Sequence, residues 1–361
     1  MATIEPYETK KGRRYMVRYR KPDRTTTMKR GYRTKREAQI FLNTVEVSKL
    51  DGTYIDPSKG RTTIGELSDA WFARQSHLKV TTHAGIEQAL RIHVLPQWRD
   101  ARIGELKPSH VSDWVADLSA VRSPSVVLRA HGVLLGILEH ARRDGLIRVN
   151  PAAELDNLPR RQKTEHVYMT HRQVKKFAEG SNGRDCLVYI ACYTGLRWGE
   201  MAGLKMSRVD LTRRRLRIVE NAVYVKGKHH VQAPKTHELR EVEYPPFLDQ
   251  LMAKQAEGKG PDDLLFPAPK GGFLRHARSN ERWFLRGKSA AGVPSSITAH
   301  DFRHTAASLA VQSGANIKAL QRMLGHKSAA MTLDTYADLF DEDLTAVANA
   351  MSEARKLALA A

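Results

Sequence analysis

Between residues 15 and 20 the side chains alternate, with Tyr15, Val17 and Tyr19 on one side and Met16, Arg18 and Arg20 on the other. A period of two predicts a half-buried strand. Lys21-Pro22-Asp23 predicts a turn and 25–32 a second extended run. Thr34 followed by Glu37 has the spacing of a capping box, and Ala38, Phe41, Leu42 and Val45 then predict one helix ending near Gly52. The expectation for 1–57 is a small three-stranded sheet with a helix behind it, of which this pattern locates two strands. Asp56-Pro57-Ser58-Lys59-Gly60 has the composition of a linker.

From Thr63 the period changes to 3.6. Ile64, Leu67 and Trp71 mark one helix, and Ile86, Leu90 and Val94 a second, which Pro96 is expected to close. Pro108 opens a third through Val111, Trp114, Val115 and Leu118. Ser123-Pro124 reads as an N-cap with proline at the first helical position, beginning a fourth helix that ends near Asp144-Gly145. A four-helix unit over 62–158 results. Asn150-Pro151 and the stretch Leu158-Pro159-Arg160-Arg161 read as a second linker. Beyond it, 165–361 forms the largest unit. Thr170 and Gln173 start a helix, and Asp185 to Tyr193 is a buried helix stopped by Gly195. Leu216 to Val219, Ala222 to Lys226 and Glu241 to Tyr244 have strand character, with a turn at Lys226-Gly227-Lys228. From His300 onward the pattern is helical, broken at Gly314 and Gly325. The fold class is thus multidomain and mainly α: the small sheet with its helix, the four-helix unit, and an α+β unit.

Composition narrows what such a layout can do. Lys and Arg outnumber Asp and Glu by 59 to 39 in 361 residues, a formal charge of +20 that suits a polyanionic partner. Residues 1–60 are the most basic part, with 15 Lys and Arg against 7 Asp and Glu. One face of the small sheet, with Arg14, Arg18, Arg20, Arg30 and Arg33, is a candidate DNA contact, and a solvated basic surface is the bland alternative. No apolar run approaches the roughly 18 residues of a spanning helix, and no signal-peptide core opens the chain, so a cytoplasmic location and no membrane partner are expected. Cys186 and Cys192 lie within one apolar stretch and read as buried, reduced thiols.

Four short segments carry candidate chemistry. In Thr194-Gly195-Leu196-Arg197-Trp198-Gly199-Glu200, a cation follows a glycine turn and a carboxylate comes three residues later, close to one helical turn. A guanidinium grips two phosphate oxygens and a carboxylate can hold it in place, although a surface ion pair satisfies the same spacing. His300-Asp301-Phe302-Arg303-His304-Thr305 places His300 and Arg303 on one face. His300 and His304 also have the i, i+4 spacing of zinc ligands, but no third ligand is suitably spaced, so no metal is expected. Leu324-Gly325-His326 sets an imidazole after a helix end, where a histidine also serves simply as a terminal cation. Tyr336, in Thr332-Leu333-Asp334-Thr335-Tyr336-Ala337, reads alone as a core tyrosine.

Together these segments resemble the tyrosine recombinases, specifically phage-type integrases with an added amino-terminal arm-binding domain. The specific match runs from 194 to 336, and the looser three-part layout covers nearly the whole chain. The resemblance implies an arm-type DNA-binding domain at 1–57, a helical core-binding domain at 62–158 and a catalytic domain at 165–361. It also implies a site-specific recombinase that integrates phage or mobile-element DNA, with excision as a second capacity. Tyr336 would be the nucleophile, forming a 3′-phosphotyrosine and freeing a 5′-hydroxyl without metal, nucleotide or other cofactor. Arg197 and Arg303 would clamp the non-bridging oxygens with help from His326, and His300 would help take the tyrosine proton. Glu200 would support the pocket. Lys235, in Ala233-Pro234-Lys235-Thr236, matches the family's general acid better than Lys226 or Lys228. The partners implied are double-stranded DNA at core and arm sites, a homotetramer on two duplexes, a directionality factor and a host DNA-bending protein, in the nucleoid of a bacterial host. The helix after Asp338 would dock on a neighbouring subunit or close its own core. Two other readings share features of this sequence: a non-catalytic regulator with a helix-turn-helix over Ala306 to Leu324, and a type IB topoisomerase.

Overall fold

The computed structural model describes residues 2–52, 54–56, 58–161, 166–233, 239–336 and 343–360, with backbone alone at 343–347 and 360. Its contacts divide into two units, Met1–Lys163 and Thr164–Ala361. In the first, strands β1 (Thr3–Thr9), β2 (Gly12–Arg20) and β3 (Thr26–Tyr32) form an antiparallel sheet in that order. The alternation at 15–20 is the pleat of β2. Val17 and Tyr19 are buried with Ala38 and Val45 of helix α1 (Lys35–Leu50), whereas Arg18 and Arg20 face solvent. Strand β1 is the one the pattern did not locate. Its sequence contains Pro6 and no long apolar residue besides Ile4 and Tyr7, and an edge position tolerates both features.

Register decides which arginines share a face. Arg14, Arg18 and Arg20 alternate with the buried side of β2, and Arg30 of β3 sits opposite Met16, so these four lie on the outer face. Arg33 lies beyond β3 and outside the sheet. The cap of α1 differs slightly from expectation. Thr34 Oγ1 accepts from the Glu37 N–H at 3.1 Å, but the Glu37 carboxylate accepts from Arg33 N–H at 2.8 Å, one residue earlier than in a capping box.

The first unit continues with α2 (Ile64–Ala73), α3 (Val80–Ala89), α4 (Leu95–Trp98), α5 (Pro108–Val121) and α6 (Pro124–Arg143). Thr63 and Glu66 form a full capping box on α2. Pro96 does not end the second helix. A π turn over Leu90–Val94, with the Leu95 N–H donating to Leu90 O, joins α3 to α4. That wider turn relaxes the hydrogen-bond ladder where a residue without an N–H must pass. Ser123 occupies the N-cap of α6, but its side chain makes no cap bond; its carbonyl accepts from Val126 and Val127 instead. Asn150-Pro151 is a correction to the linker reading. Asn150 Nδ2 donates to Leu135 O at 3.0 Å, and His131 Nε2 lies 2.8 Å from Ala152 O, which fastens this stretch onto α6.

The second unit contains α7 (His171–Gly180), α8 (Asp185–Thr194), α9 (Trp198–Ala202), β4 (Val209–Asp210), β5 (Arg215–Ile218), β6 (Asn221–Val225), β7 (Lys228–Gln232) and β8 (Arg240–Glu243). Helices α10 (Asp249–Ala256), α11 (Arg282–Ala291), α12 (Asp301–Gln312), α13 (Ile317–Leu324), α14 (Ala329–Tyr336) and α15 (Asp343–Ala360) follow. Strands β4, β5 and β8 make one antiparallel sheet, and β6 and β7 make a hairpin. The core joins α7, α11 and α12 through three aromatic rings. Phe177 meets Phe284 and Phe302 edge-on at centroid distances of 5.2 and 5.1 Å. Cys186 and Cys192 are buried and free, as expected, and burial pushes the Cys186 thiol up to about 12. No helix among the described residues is long and apolar enough to cross a membrane.

Phe177 fits because Gly287 of α11 lies against it; a Cβ there would stand 2.4 Å from the ring. Replacing Phe177 by Ala leaves a cavity at the junction of three helices. The expected cost is about 3–5 kcal/mol, read from guanidinium unfolding of the full chain. A loss below about 1 kcal/mol would show that the three-ring junction does not organise this core.

Candidate active site

Helix α8 ends at Gly195, whose φ of +65° is left-handed, and helix α13 ends at Gly325 in the same way. A left-handed end leaves carbonyl groups of the last turn without helical partners. Two arginines use them. Arg303 Nη1 donates to Gly195 O at 2.6 Å and Arg303 Nη2 to Leu324 O at 2.7 Å. Arg197, at the N-cap of α9, donates to Gly325 O at 3.1 Å. Each guanidinium thus sits where the helix dipole is negative. Arg303 is 4% exposed. Burial, followed by repulsion from Arg197, lowers its pKa to about 9, which still leaves it a cation at neutral pH.

Glu200, on the first turn of α9, is 1% exposed and bonded on both oxygens. Oε1 accepts from Arg197 Nη1 at 2.9 Å and Oε2 from the Arg197 N–H at 2.9 Å. Arg240 of β8 adds a fork, donating from Nη1 to Oε1 at 3.0 Å and from Nη2 to Oε2 at 2.7 Å. Burial pushes the Glu200 carboxyl up, but the hydrogen bonds and charges of Arg240 and Arg197 outweigh it and hold the group below its usual range. Arg240 also approaches Met323 O at 3.4 Å, so it ties β8 to both α9 and the end of α13. The sequence reading missed it. Its signal was its place at the head of a strand, five residues after Lys235 in the sequence.

His326 follows Gly325, with its backbone carbonyl accepting from Gln321 Nε2 at 3.0 Å and its Nδ1 2.9 Å from Thr332 Oγ1. Burial, then Arg303, lowers its pKa to about 4. Its ring lies nearly parallel to that of Tyr336, centroids 6.2 Å apart. Tyr336 ends α14 and is 1% exposed, packed with Ala307, Leu320 and Leu324. Its hydroxyl lies 3.0 Å from His304 Nδ1. Burial pushes the phenol up to about 12 in spite of Arg303, so only roughly one molecule in 10⁵ carries the phenolate at pH 7.

His304 is the other residue that the sequence reading did not place at the tyrosine. Its i, i+4 spacing pairs it with His300, yet it makes the contact with Tyr336 and stacks on His166 at 3.7 Å. Burial, followed by His166, His300 and Arg303, lowers its pKa to about 3. His300, at the N-cap of α12, is exposed and reaches the tyrosine only through His304, whose ring it meets edge-on at 4.8 Å. Loss of hydration around its ring, then Arg303, lowers its pKa. Lys235 lies in 234–238, outside the described residues; Lys226 and Lys228 flank the β6–β7 turn. Arg197, Glu200, Arg303, His326 and Tyr336 are therefore gathered in one place, with His300 at its rim. A cavity of about 500 Å³ beside Trp198 and Trp283 contains none of them.

Comparison with known proteins shows the family. The family model described as "Phage integrase family" matches residues 167–343. The chain is 30% identical over 250 residues to the tyrosine recombinase XerC of Treponema denticola, covering 64% of this chain and 80% of that one. It is 26% identical over 332 residues to a putative prophage phiRv2 integrase of Mycobacterium tuberculosis, covering 89% and 88%. Among solved structures, the Tn1549 transposon integrase in complex with a circular intermediate DNA matches with a TM-score of 0.67 at 22% identity, over 76% of this chain and 94% of that one. A lambda integrase dimer bound to a COC′ core site matches at 0.59 and 17% identity, over 91% and 93%. This chain belongs to the tyrosine recombinase family, whose members cut and rejoin DNA strands.

Two outcomes follow from the site's electrostatics. Arg240→Ala removes two of the four hydrogen bonds of the buried Glu200 carboxylate and leaves the two from Arg197, at an expected cost of about 2–3 kcal/mol in denaturant unfolding; adding Glu200→Gln to that variant recovers part of the loss, and no recovery would deny the pairing. Histidines with lowered folded pKa values bind fewer protons than the unfolded chain below its usual value of 6.5. Stability is therefore lost as pH falls from about 6.5 toward 4, and His304→Asn flattens that slope. An unchanged slope in the variant would remove His304 as a source.

Proposed function

We propose that this chain is a site-specific integrase that joins DNA through Tyr336. The supporting observation is that segments separated by more than a hundred residues meet through Arg303, which bonds Gly195 O and Leu324 O at once. In this reading the Tyr336 oxygen attacks the scissile phosphorus, the 5′-oxygen leaves, and the bond energy is kept in a 3′-phosphotyrosine. The phenolic proton passes to an imidazole, and Lys235 protonates the departing oxygen. Arg197 and Arg303 each keep donor groups for the non-bridging oxygens, and His326 adds a third donor. Glu200 orients Arg197, and Arg240 orients Glu200.

The docked tyrosine in this structure is a resting arrangement. A buried phenol with a pKa near 12 must leave the cluster of Ala307, Leu320 and Leu324 before it reaches a phosphate. His300 and His326 then become candidates for its proton, and His304 is the partner it leaves.

The three-part division at 1–57, 62–158 and 165–361 assigns arm-site contact to the outer face of the small sheet, through Arg14, Arg18, Arg20 and Arg30, with Arg33 beside it. The helical unit would read the core site. A homotetramer on two duplexes, a directionality factor and a host bending protein complete the proposed assembly. The regulator reading is disfavoured because it gives no role to Arg303, which is buried and bonds Gly195 O and Leu324 O at the ends of two other helices.

A nicked duplex carrying the authentic attachment site should give a covalent protein–DNA band on denaturing electrophoresis, and Tyr336→Phe should abolish it. Arg303→Lys should keep site-specific binding within about threefold while cutting cleavage by at least about a hundredfold, since a point charge cannot replace the fork. A band surviving in Tyr336→Phe, or equal loss of binding and cleavage in Arg303→Lys, would overturn the assignment.

A further inference from the structure

At the start of α12, metal-binding side chains converge from two distant parts of the chain. His166 comes from the segment before α7, and Asp301 and His304 belong to α12 itself. One donor atom from each lies within 4.8 Å of the other two. We propose that these three side chains form a binding site for a divalent transition cation of the zinc type, and that the bound ion holds Tyr336 in its docked position. The second half rests on Tyr336 being the nucleophile; the first does not.

The donor set suits that class of ion. Two imidazoles, one carboxylate and a fourth position left for water fit a borderline-soft cation better than magnesium or calcium. Ligand bonds of about 2.0–2.1 Å put tetrahedral donors about 3.3 Å apart, so donors up to 4.8 Å apart close by about 1.5 Å as the His166 ring turns out of its stack on His304. Asp301 and His304 are already oriented by hydrogen bonds on their other atoms. Asp301 Oδ2 accepts from the Thr298 N–H at 2.7 Å and its hydroxyl at 2.8 Å, which leaves Oδ1. His304 Nδ1 faces Tyr336, which leaves Nε2. Such outer bonds fix ring and carboxylate directions in metal sites. A ligating imidazole must be neutral, so binding weakens as pH falls. His300 and Arg303 oppose a cation here, and the Asp301 carboxylate counters them.

The coupling has a definite sign. An ion on Nε2 fixes the imidazole proton on Nδ1 and makes it more acidic, so His304 becomes a strong donor to the Tyr336 oxygen. Binding therefore favours the docked tyrosine and slows cleavage. The sequence pattern missed this site because the i, i+4 histidines suggested His300 as the second imidazole, whereas the fold supplies His166.

The test uses the full chain without DNA, titrated with Co²⁺. A visible absorption of tetrahedral type should saturate at one ion per chain and be displaced by Zn²⁺. His166→Phe keeps a ring stacked on His304 but has no donor, and should lose the band. On the nicked substrate, Zn²⁺ should slow covalent-complex formation by the original chain by about tenfold, and His166→Phe should be unaffected while matching its metal-free rate. No saturable band, or the same band in both proteins, overturns the site. A band confined to the original chain, with Zn²⁺ inhibition absent or equal in both proteins, overturns the coupling. Tyr336→Phe should keep the cobalt band whatever its cleavage, which separates failure of the site from failure of the nucleophile assignment.

Discussion

The carbonyl groups left open at the ends of α8 and α13 hold the arginines, and the rest of the site takes its position from them. A helix end offers a partial negative charge in a fixed direction. Arg303 spans two such ends and is buried between them, so α8, α12 and α13 cannot shift independently without breaking a charged hydrogen bond. Gly195 makes the close approach feasible. A Cβ there would lie 2.6 Å from Leu324, in the very turn that supplies the second carbonyl.

Glu200 is the complementary constraint. Its single negative charge is shared by Arg197 and Arg240, and Arg303 lies near enough to feel all three. The surplus of positive charge in a place with little water is unfavourable without an anion and favourable with one. A phosphate diester supplies a single negative charge, and the geometry around it is set before it arrives.

Much of this was legible in the chain, and what was not has identifiable reasons. The alternation at 15–20, the Thr170-Gln173 box and the stop at Gly195 are local signals, and each corresponds to an observed element. Pro96 misled because a π turn accommodates proline without ending the helix, and no residue type announces such a turn. The clustering of Arg197, Arg303, His326 and Tyr336 could be anticipated from their motifs. Arg240 and His304 could not be ranked in the same way. An arginine on a strand and a histidine after an arginine are ordinary locally, and their importance arises only when β8 and α14 are brought against α9 and α12.

The packing of Tyr336 has a thermal consequence. Withdrawing its ring exposes the apolar faces of Ala307, Leu320 and Leu324 to water, and such exposure carries a positive heat capacity. Bond-making at phosphorus carries little. In the proposed cycle, then, the readiness of the enzyme to react would follow the curved temperature dependence of a local unfolding step, and not the straight line of simple chemistry.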